Sequence, residues 1–412
     1  MAGEAKSVRC CVAGGGPAGM MLGLLLARAG IPTVVLEKHG DFLRDFRGDT
    51  IHPSTLELMD ELGVLETFLK LPHQEVPELS AQIGDRSLPF ADFRHLPTRC
   101  KFIALMPQWD FLRFLAAQAA PYSTFQLVMR AEVTGLIDER GRVVGVHATR
   151  PDGPLEVRAD LVVAADGRAS VVREKAGLRV QELGAPMDVL WFRLSRGPDD
   201  PQQTMGRFDV GRIFIMINRG EYWQCGYVIP KGSVEQIRQR GLETFRSDVV
   251  RLAPFAASRE REIRDWEDAK LLTVRVDRLR RWYRPGLLCI GDAAHAMSPI
   301  GGVGINLAIQ DAVAAANLLA EPLRLGRLTT DHLRLVQRRR ELPTRVTQGL
   351  QVLIQRRVIT RVLGGADQLE PPLLLRLFAR FPVLRRLPAR LIGVGIRPEH
   401  VATPAVAVGL RD

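Results

Sequence analysis

A glycine triplet, Gly14-x-Gly16-x-x-Gly19, lies between an apolar run, Val8–Ala13, and a Leu- and Ala-rich stretch, Met20–Ala29, with the composition of a helix. A second apolar run, Thr33–Glu37, follows and closes on an acid. Strand, glycine turn, helix and strand within 37 residues make a βαβ unit, which commits the chain to a parallel sheet and an α/β fold. The glycine spacing suits a dinucleotide. Gly14 permits the tight turn, Gly16 lets backbone approach a pyrophosphate, and Gly19 lets the helix close on the strand. The amides at the start of the helix, around Pro17 and Ala18, face the phosphates with the positive end of the helix dipole. Glu37 is placed to accept hydrogen bonds from a ribose, and Lys38 beside it joins the same candidate binding set.

Composition removes other classes. The 412 residues are 46% apolar and 25% charged, as in ordinary globular proteins, so disorder and fibrous folds are excluded. Five cysteines (Cys10, Cys11, Cys100, Cys225, Cys289) form no CxxC pair, so neither a disulfide framework nor a zinc site is expected, and buried thiols in a reducing compartment fit better. The first residues, MAGEAKSVR, do not read as a signal peptide, and the apolar stretch Cys10–Gly30 carries too many glycines for a membrane span. A cytoplasmic protein is expected. The net charge of +11 is concentrated after residue 320, where 17 arginines face 7 acids, and the preceding residues are nearly neutral. No basic–aromatic interleaving of the kind used on single strands is present, so nucleic acid is not an expected partner. GxSxG, P-loop and HExxH motifs are absent, which leaves hydrolase, NTPase and metalloenzyme readings without an anchor, and no metal is expected.

Further along, helices are expected at Thr55–Leu62, Gln108–Ala119 and Gly304–Leu319, and strands at Phe125–Ile137, Arg142–Thr149, Glu156–Ala164 and Leu287–Ile290. Between about 185 and 275 the texture becomes β-rich and aromatic, and 75–100 also lacks helical periodicity. After 330 the chain reads as helical, rich in Leu and Arg, and broken by Pro371, Pro372, Pro382 and Pro388. This gives a Rossmann-like dinucleotide domain in three pieces (1–74, 101–182, 276–335), a β-sheet-rich substrate domain inserted in two (75–100, 183–275) and a helical C-terminal region (336–412).

Two later segments narrow the cofactor. LVVAADGRASVVR (Leu161–Arg173) is a buried strand running into Asp166-Gly167, and LLCIGDAAHAMSPIGGVGIN (Leu287–Asn306) delivers Gly291-Asp292 and then a proline- and glycine-rich loop before a helix. In this order the three motifs resemble the class A flavoprotein aromatic hydroxylases, the para-hydroxybenzoate hydroxylase family with its ubiquinone-biosynthesis and antibiotic-tailoring branches. The resemblance implies FAD as cofactor, with Asp292 on its ribityl chain and Asp166 and Gly167 near the flavin. It also implies Arg47 near the pyrophosphate, Gln108 on the cofactor and Val133 giving backbone contacts to adenine. Pro299, Gly302, Gly304, Ile305 and Asn306 would form the loop beside the isoalloxazine, where glycines admit backbone amides and the helix dipole favours a reduced, anionic ring.

By the same resemblance NADPH or NADH is a transient reductant, O2 a co-substrate, and a flavin C4a-hydroperoxide the oxygen donor to an aromatic or polycyclic, lipophilic small molecule. The absence of a second GxGxxG agrees with a visiting nicotinamide. No catalytic side chain is identified, since the flavin itself is the reactive group. Phe214, Met216, Trp223 and Tyr227, with Trp191, are candidate lining residues of a substrate pocket, or simply sheet core. His295 reads as a packing residue or a proton relay, and His52 is equally open. A flavin-dependent halogenase is an alternative, weakened because Trp223–Pro230 ends in Ile-Pro without paired tryptophans; a non-catalytic flavin-binding protein is another. The apolar-plus-Arg tail suits either peripheral contact with a membrane or packing on the flavin domain. The oligomeric state is open.

Overall fold

The structure, a computed structural model, describes residues 4–43, 50–84, 86–202, 204–365 and 370–406. Arg47 lies outside them. The strand Glu4–Ala13 ends in four fully buried residues, Cys10 to Ala13, the continuous apolar run of a strand covered on both faces. It pairs in parallel with Gly153–Ala164 on one side and Thr33–Glu37 on the other. Leu287–Cys289 joins Gly153–Ala164 in parallel and is itself edged by antiparallel Tyr283–Arg284, while Phe125–Met129 extends the other end in parallel. The sheet is therefore spliced from three remote stretches of the chain, 4–37, 125–164 and 283–289. Helices Pro17–Arg28, Gln108–Ala119 and Gly304–Arg324 pack with it into one large core, and Thr330–Ile354 packs on Gly304–Arg324. Gly304–Arg324 is apolar and long enough to cross a membrane by composition, but most of it is buried as a core helix.

The run expected as one strand, Phe125–Ile137, is two. Phe125–Met129 belongs to the parallel sheet, and Arg130, with φ +54°, turns the chain into Glu132–Glu139, which forms an antiparallel hairpin with Arg142–Arg150. An apolar run of that length shows no sign of the reversal, because the turn rests on one residue's left-handed backbone. The long helix after 330 also differs from expectation. Thr330–Ile354 runs through Pro343 and across the expected boundary at 335/336.

A second sheet holds seven strands in the order Lys270–Leu272, Met187–Ser195, Tyr222–Pro230, Arg212–Asn218, Met205–Asp209, Glu78–Ile83, Arg86–Asp92. All pairings are antiparallel except Met205–Asp209 with Glu78–Ile83. Segment 75–100 thus contributes two strands to the β-rich region. Each face carries its own core. One is covered by the helix Leu242–Leu252 and the 3-10 turn Pro254–Glu262. The other faces Ile300 and the segment Val358–Leu363.

Candidate cofactor site

Gly14 adopts φ +105°, and a Cβ there would lie 2.4 Å from the Ala165 carbonyl oxygen and 2.8 Å from the Asp166 Cα. The glycine turn is therefore pressed against the Asp166-Gly167 turn at the end of the neighbouring strand. The helix that follows opens on Gly16 and Pro17 with no side-chain cap and no acid in its first turn. Its first amides are thus left for an anionic ligand. Glu37 accepts the Gly15 N–H at 2.9 Å and the His39 N–H at 3.0 Å, fixing the carboxylate beside the turn. Backbone bonds from Arg130 to His39 and from Ala131 to Glu37 bring the start of the Val133 strand to the same edge. Lys38 is exposed there.

The other motifs converge on this turn. A Cβ on Gly291 would touch Ala18 at 3.2 Å and Ala308 at 3.1 Å, so the first turn of Pro17–Arg28 and the second turn of Gly304–Arg324 meet over the Gly291-Asp292 turn. The helix Gly304–Arg324 likewise begins without a side-chain cap or an acid in its first turn. Asp292 faces Arg168 at 3.3 Å, both side chains about 30% exposed. Asp166 Oδ2 accepts the Val172 N–H at 3.2 Å, and its Oδ1 is a buried acceptor with no partner among the described residues. Burial pushes the Asp166 carboxyl up from its ordinary value, against the opposing pull of the Ser170 hydroxyl and the Val172 amide. Two uncapped helix starts, an orphaned buried acceptor and a cradle that Cβ atoms would fill fit a dinucleotide carrying hydroxyls and a pyrophosphate.

The glycine loop before Gly304 is stapled on two sides. Gly302, at φ +62°, leaves space for Thr50, whose hydroxyl donates to the Gly302 carbonyl at 2.7 Å; a Cβ would sit 2.3 Å from that hydroxyl. Asn306 was expected to contact the cofactor, but its side chain is spent elsewhere. Its Oδ1 accepts from the His52 amide (2.9 Å) and the Thr55 hydroxyl (2.7 Å), and its Nδ2 donates to the Thr50 and Gly302 carbonyls. Ile305 is buried in the main core. Strand Ile103–Leu105, three residues before Gln108, pairs with Thr50–Ile51 and brings Gln108 into the same neighbourhood. Pro299 precedes the 3-10 turn Ile300–Gly302.

The second staple comes from the helix Thr330–Ile354. Gln351 donates to the Ser298 and Ile300 carbonyls (3.0 and 2.9 Å) and accepts the Ser298 N–H (3.1 Å). Gln348 donates to the Asp277 and Ala296 carbonyls, and Gln355 to the Ser298 hydroxyl. Behind the Gly291 turn stands an enclosed charge network. Asp311 accepts from the Gly291 amide (3.0 Å), His295 Nε2 (2.6 Å) and Arg340 Nε (3.1 Å), and Arg340 reaches Glu399 at 3.2 Å. Burial would raise the Asp311 carboxyl, but His295, Arg340 and the Gly291 amide outweigh it and hold it below the ordinary value. His295 packs against Trp282 with ring centroids 4.9 Å apart. Its Nε2 is thus committed to Asp311 and its ring to Trp282.

Of the proposed pocket residues, four lie on the far side of the second sheet. Phe214, Met216, Trp223 and Tyr227 belong to the core under Leu242–Leu252. Tyr227 donates to Asp248 at 3.2 Å, Trp223 Nε1 to Asp200 at 2.7 Å, and Phe214 pairs with Phe192. The face turned to Ile300 carries Trp191, Ile213, Val228 and the half-buried Ile215 and Ile217. Strand alternation separates the two sets, since residues one apart point to opposite faces. All five cysteines are free and buried. Burial pushes the Cys11 thiol up to about 12, so it is unreactive.

Comparison with known proteins agrees with this geometry. The FAD binding domain family matches residues 7–349. Over 383 residues, 92% of this chain and 91% of the relative, the chain is 33% identical to a 6-methylpretetramide 4-monooxygenase of Streptomyces rimosus. It is 28% identical over 322 residues to a dialkyldecalin synthase of Streptomyces rugosporus, covering 73% of this chain and 63% of that protein. Among solved structures, p-nitrophenol 4-monooxygenase from Pseudomonas putida DLL-E4 superposes with a TM-score of 0.77 at 20% identity, covering 94% of this chain and 97% of that one, and so shares the fold.

Proposed function

This chain belongs to the FAD binding domain family, as one of its aromatic monooxygenases, and we propose that it oxygenates a fused-ring aromatic small molecule using O2 and a visiting NAD(P)H. The observation that carries the reading is the meeting of two uncapped helix starts at Gly291, with Ile300 of the following loop packed on an apolar sheet face that holds Trp191, Ile213 and Ile215. The likeness to the 6-methylpretetramide enzyme along nearly the whole chain supports a polycyclic substrate.

FAD, when bound, supplies oxygen activation and oxygen transfer. Amides around Gly16 and Pro17 would bind its pyrophosphate, Glu37 a ribose, and Asp292 and Asp166 its hydroxyl-bearing chain. The start of Gly304–Arg324 would hold the ring end of the cofactor and offer partial positive charge to its reduced, anionic form. Trp191, Ile213, Ile215 and Ile300 exclude water from the reacting face, which guards the transfer against loss as hydrogen peroxide. The nicotinamide needs no domain of its own, since a reductant that leaves after each turnover is held only briefly.

Anaerobic mixing of the yellow protein with NADPH or NADH, with and without a panel of phenols and polyketide aromatics, tests the reading. A fused-ring aromatic is expected to accelerate flavin reduction by orders of magnitude and then to gain one oxygen under air. Reduction that is rapid and indifferent to every aromatic, with no oxygenated product, would overturn it.

A further inference from the structure

Residues 371–397 contain six arginines and no acid. They form two short helices, Leu373–Arg380 and Arg386–Gly393, joined by the 3-10 turn Pro382–Arg385. The inner face of this segment is anchored. Ala389 is fully buried in a small core with Ala91, Phe93, Leu96 and Leu105. A Cβ on Gly393 would lie 2.9 Å from Leu96, so the second helix is pressed flush against that core. The Ile392 carbonyl accepts from His52 Nδ1 at 2.7 Å, and Arg385 pairs with Glu78 at 3.6 Å.

The outer face is unlike the rest of the surface. Eight of the eighteen exposed large apolar side chains among the described residues fall between 373 and 396, including Leu373 (73% exposed), Val383 (66%) and Leu387 (68%). In the first helix Leu373, Leu374 and Leu377 share one face, flanked by Arg376 and Arg380. In the second, Leu387 and Leu391 lie opposite buried Ala389 and Gly393, with exposed Arg386 and Arg390 along the flank between the two faces. Long aliphatic side chains exposed in a row, each beside an arginine able to lift its charged end toward phosphates, are the pattern of helices lying in a membrane interface.

We propose that this outer face docks on an anionic phospholipid surface, with the leucines entering the headgroup boundary and the arginines pairing with lipid phosphates. Charge favours this occupant: Arg376 pairs with Glu370 at 2.6 Å, but the face keeps a net basic charge that repels a second copy of itself and attracts acidic lipid. The inner face keeps the platform rigid, so docking needs no rearrangement of the cofactor site. A lipophilic substrate dissolved in a membrane would be within reach of an enzyme held there.

The test is flotation of the full-length, flavin-loaded protein with vesicles of phosphatidylcholine alone or with a quarter phosphatidylglycerol. Partition onto the anionic vesicles at low salt is expected, weak on the neutral ones and falling as salt rises. The double variant Arg386→Gln/Arg390→Gln should bind about thirtyfold more weakly. Leu373→Ser/Leu387→Ser should weaken binding at every salt concentration. Both pairs are exposed, so flavin absorbance and melting temperature should stay as in the parent. No partition at low salt, partition untouched by both variants, or a self-associated form that the leucine variant dissolves while vesicles remain unbound would each overturn the proposal.

Discussion

Charging His52 means placing a proton on an imidazole that is wholly enclosed between the glycine-loop staple and the C-terminal helices. Burial lowers its pKa to about 4, against the smaller opposing pull of the Ile392 carbonyl. In the unfolded chain the same ring titrates near about 6.5, so between those values the unfolded state holds more protons. Stability contributed by neutral His52 is complete above pH 6.5 and is lost as pH falls toward 4, by up to about 3 kcal/mol. Chemical denaturation at pH 7 and pH 4.5 should show this loss, and His52→Asn should flatten that stretch of the profile. Asp311 offers a second test at this scale. Asp311→Ala leaves Arg340 enclosed beside an empty site and should cost about 3–5 kcal/mol in equilibrium unfolding. Residue types alone told much of the story at the glycine turns, because Gly14 needs its left-handed backbone and Gly19 closes on the Gly14 carbonyl, although the close approach of Gly14 to Ala165 and Asp166 is tertiary. They told little about Asn306, whose partners at 50, 52 and 55 are some 250 positions away. A lone acid in the apolar stretch Gly304–Leu319 was the available sign of Asp311, and nothing local points to Arg340.

At the scale of elements, Thr330–Ile354 and the turn after it do what no periodicity announces. Gln348, Gln351 and Gln355 recur at helical spacing and look like a solvated stripe, yet they hold the backbone from 277 to 300. A helix reads as amphipathic from its own pattern, but which backbone its polar stripe meets is decided by the tertiary fold. Pro343 costs about 3 kcal/mol in a helix interior. Anchoring by Arg340 before it and by the glutamines after it outweighs that cost. Gln351→Leu strands one buried N–H and two carbonyls of the loop, each expensive to leave unmet. It should weaken FAD binding at least about tenfold by fluorescence titration and speed amide exchange across 296–304, with Gln351→Glu recovering part of the loss. Three strands of the β-rich region, Met187–Ser195, Arg212–Asn218 and Tyr222–Pro230, were legible, whereas Met205–Asp209 and the helix Leu242–Leu252 within it were not, and the split at Arg130 was hidden because one left-handed residue has no compositional signature.

At the scale of the molecule, the second sheet carries a separate core on each face, and the proposed function gives stability to one and substrate to the other. Phe214→Ala should cost about 3–5 kcal/mol of stability and leave the substrate KM near its original value, because its face supports Leu242–Leu252. Trp191→Ala should do the reverse in steady-state kinetics, raising KM and the hydrogen peroxide released per NAD(P)H consumed. The aromatic composition identified this sheet but not its working side, which depends on register against Ile300. The splicing of the parallel sheet has its own consequence for biosynthesis. The glycine turn leaves the ribosome first, whereas the Leu287–Cys289 strand and the Gly304–Arg324 helix, against which it closes, follow after most of the chain. A nascent chain shorter than this carries half a cradle and gains nothing from free FAD, since a ligand stabilises only the state that binds it. Flavin therefore enters late, once the Gly304–Arg324 helix has emerged, and a cell short of flavin would accumulate folded but unlocked chains rather than stalled fragments.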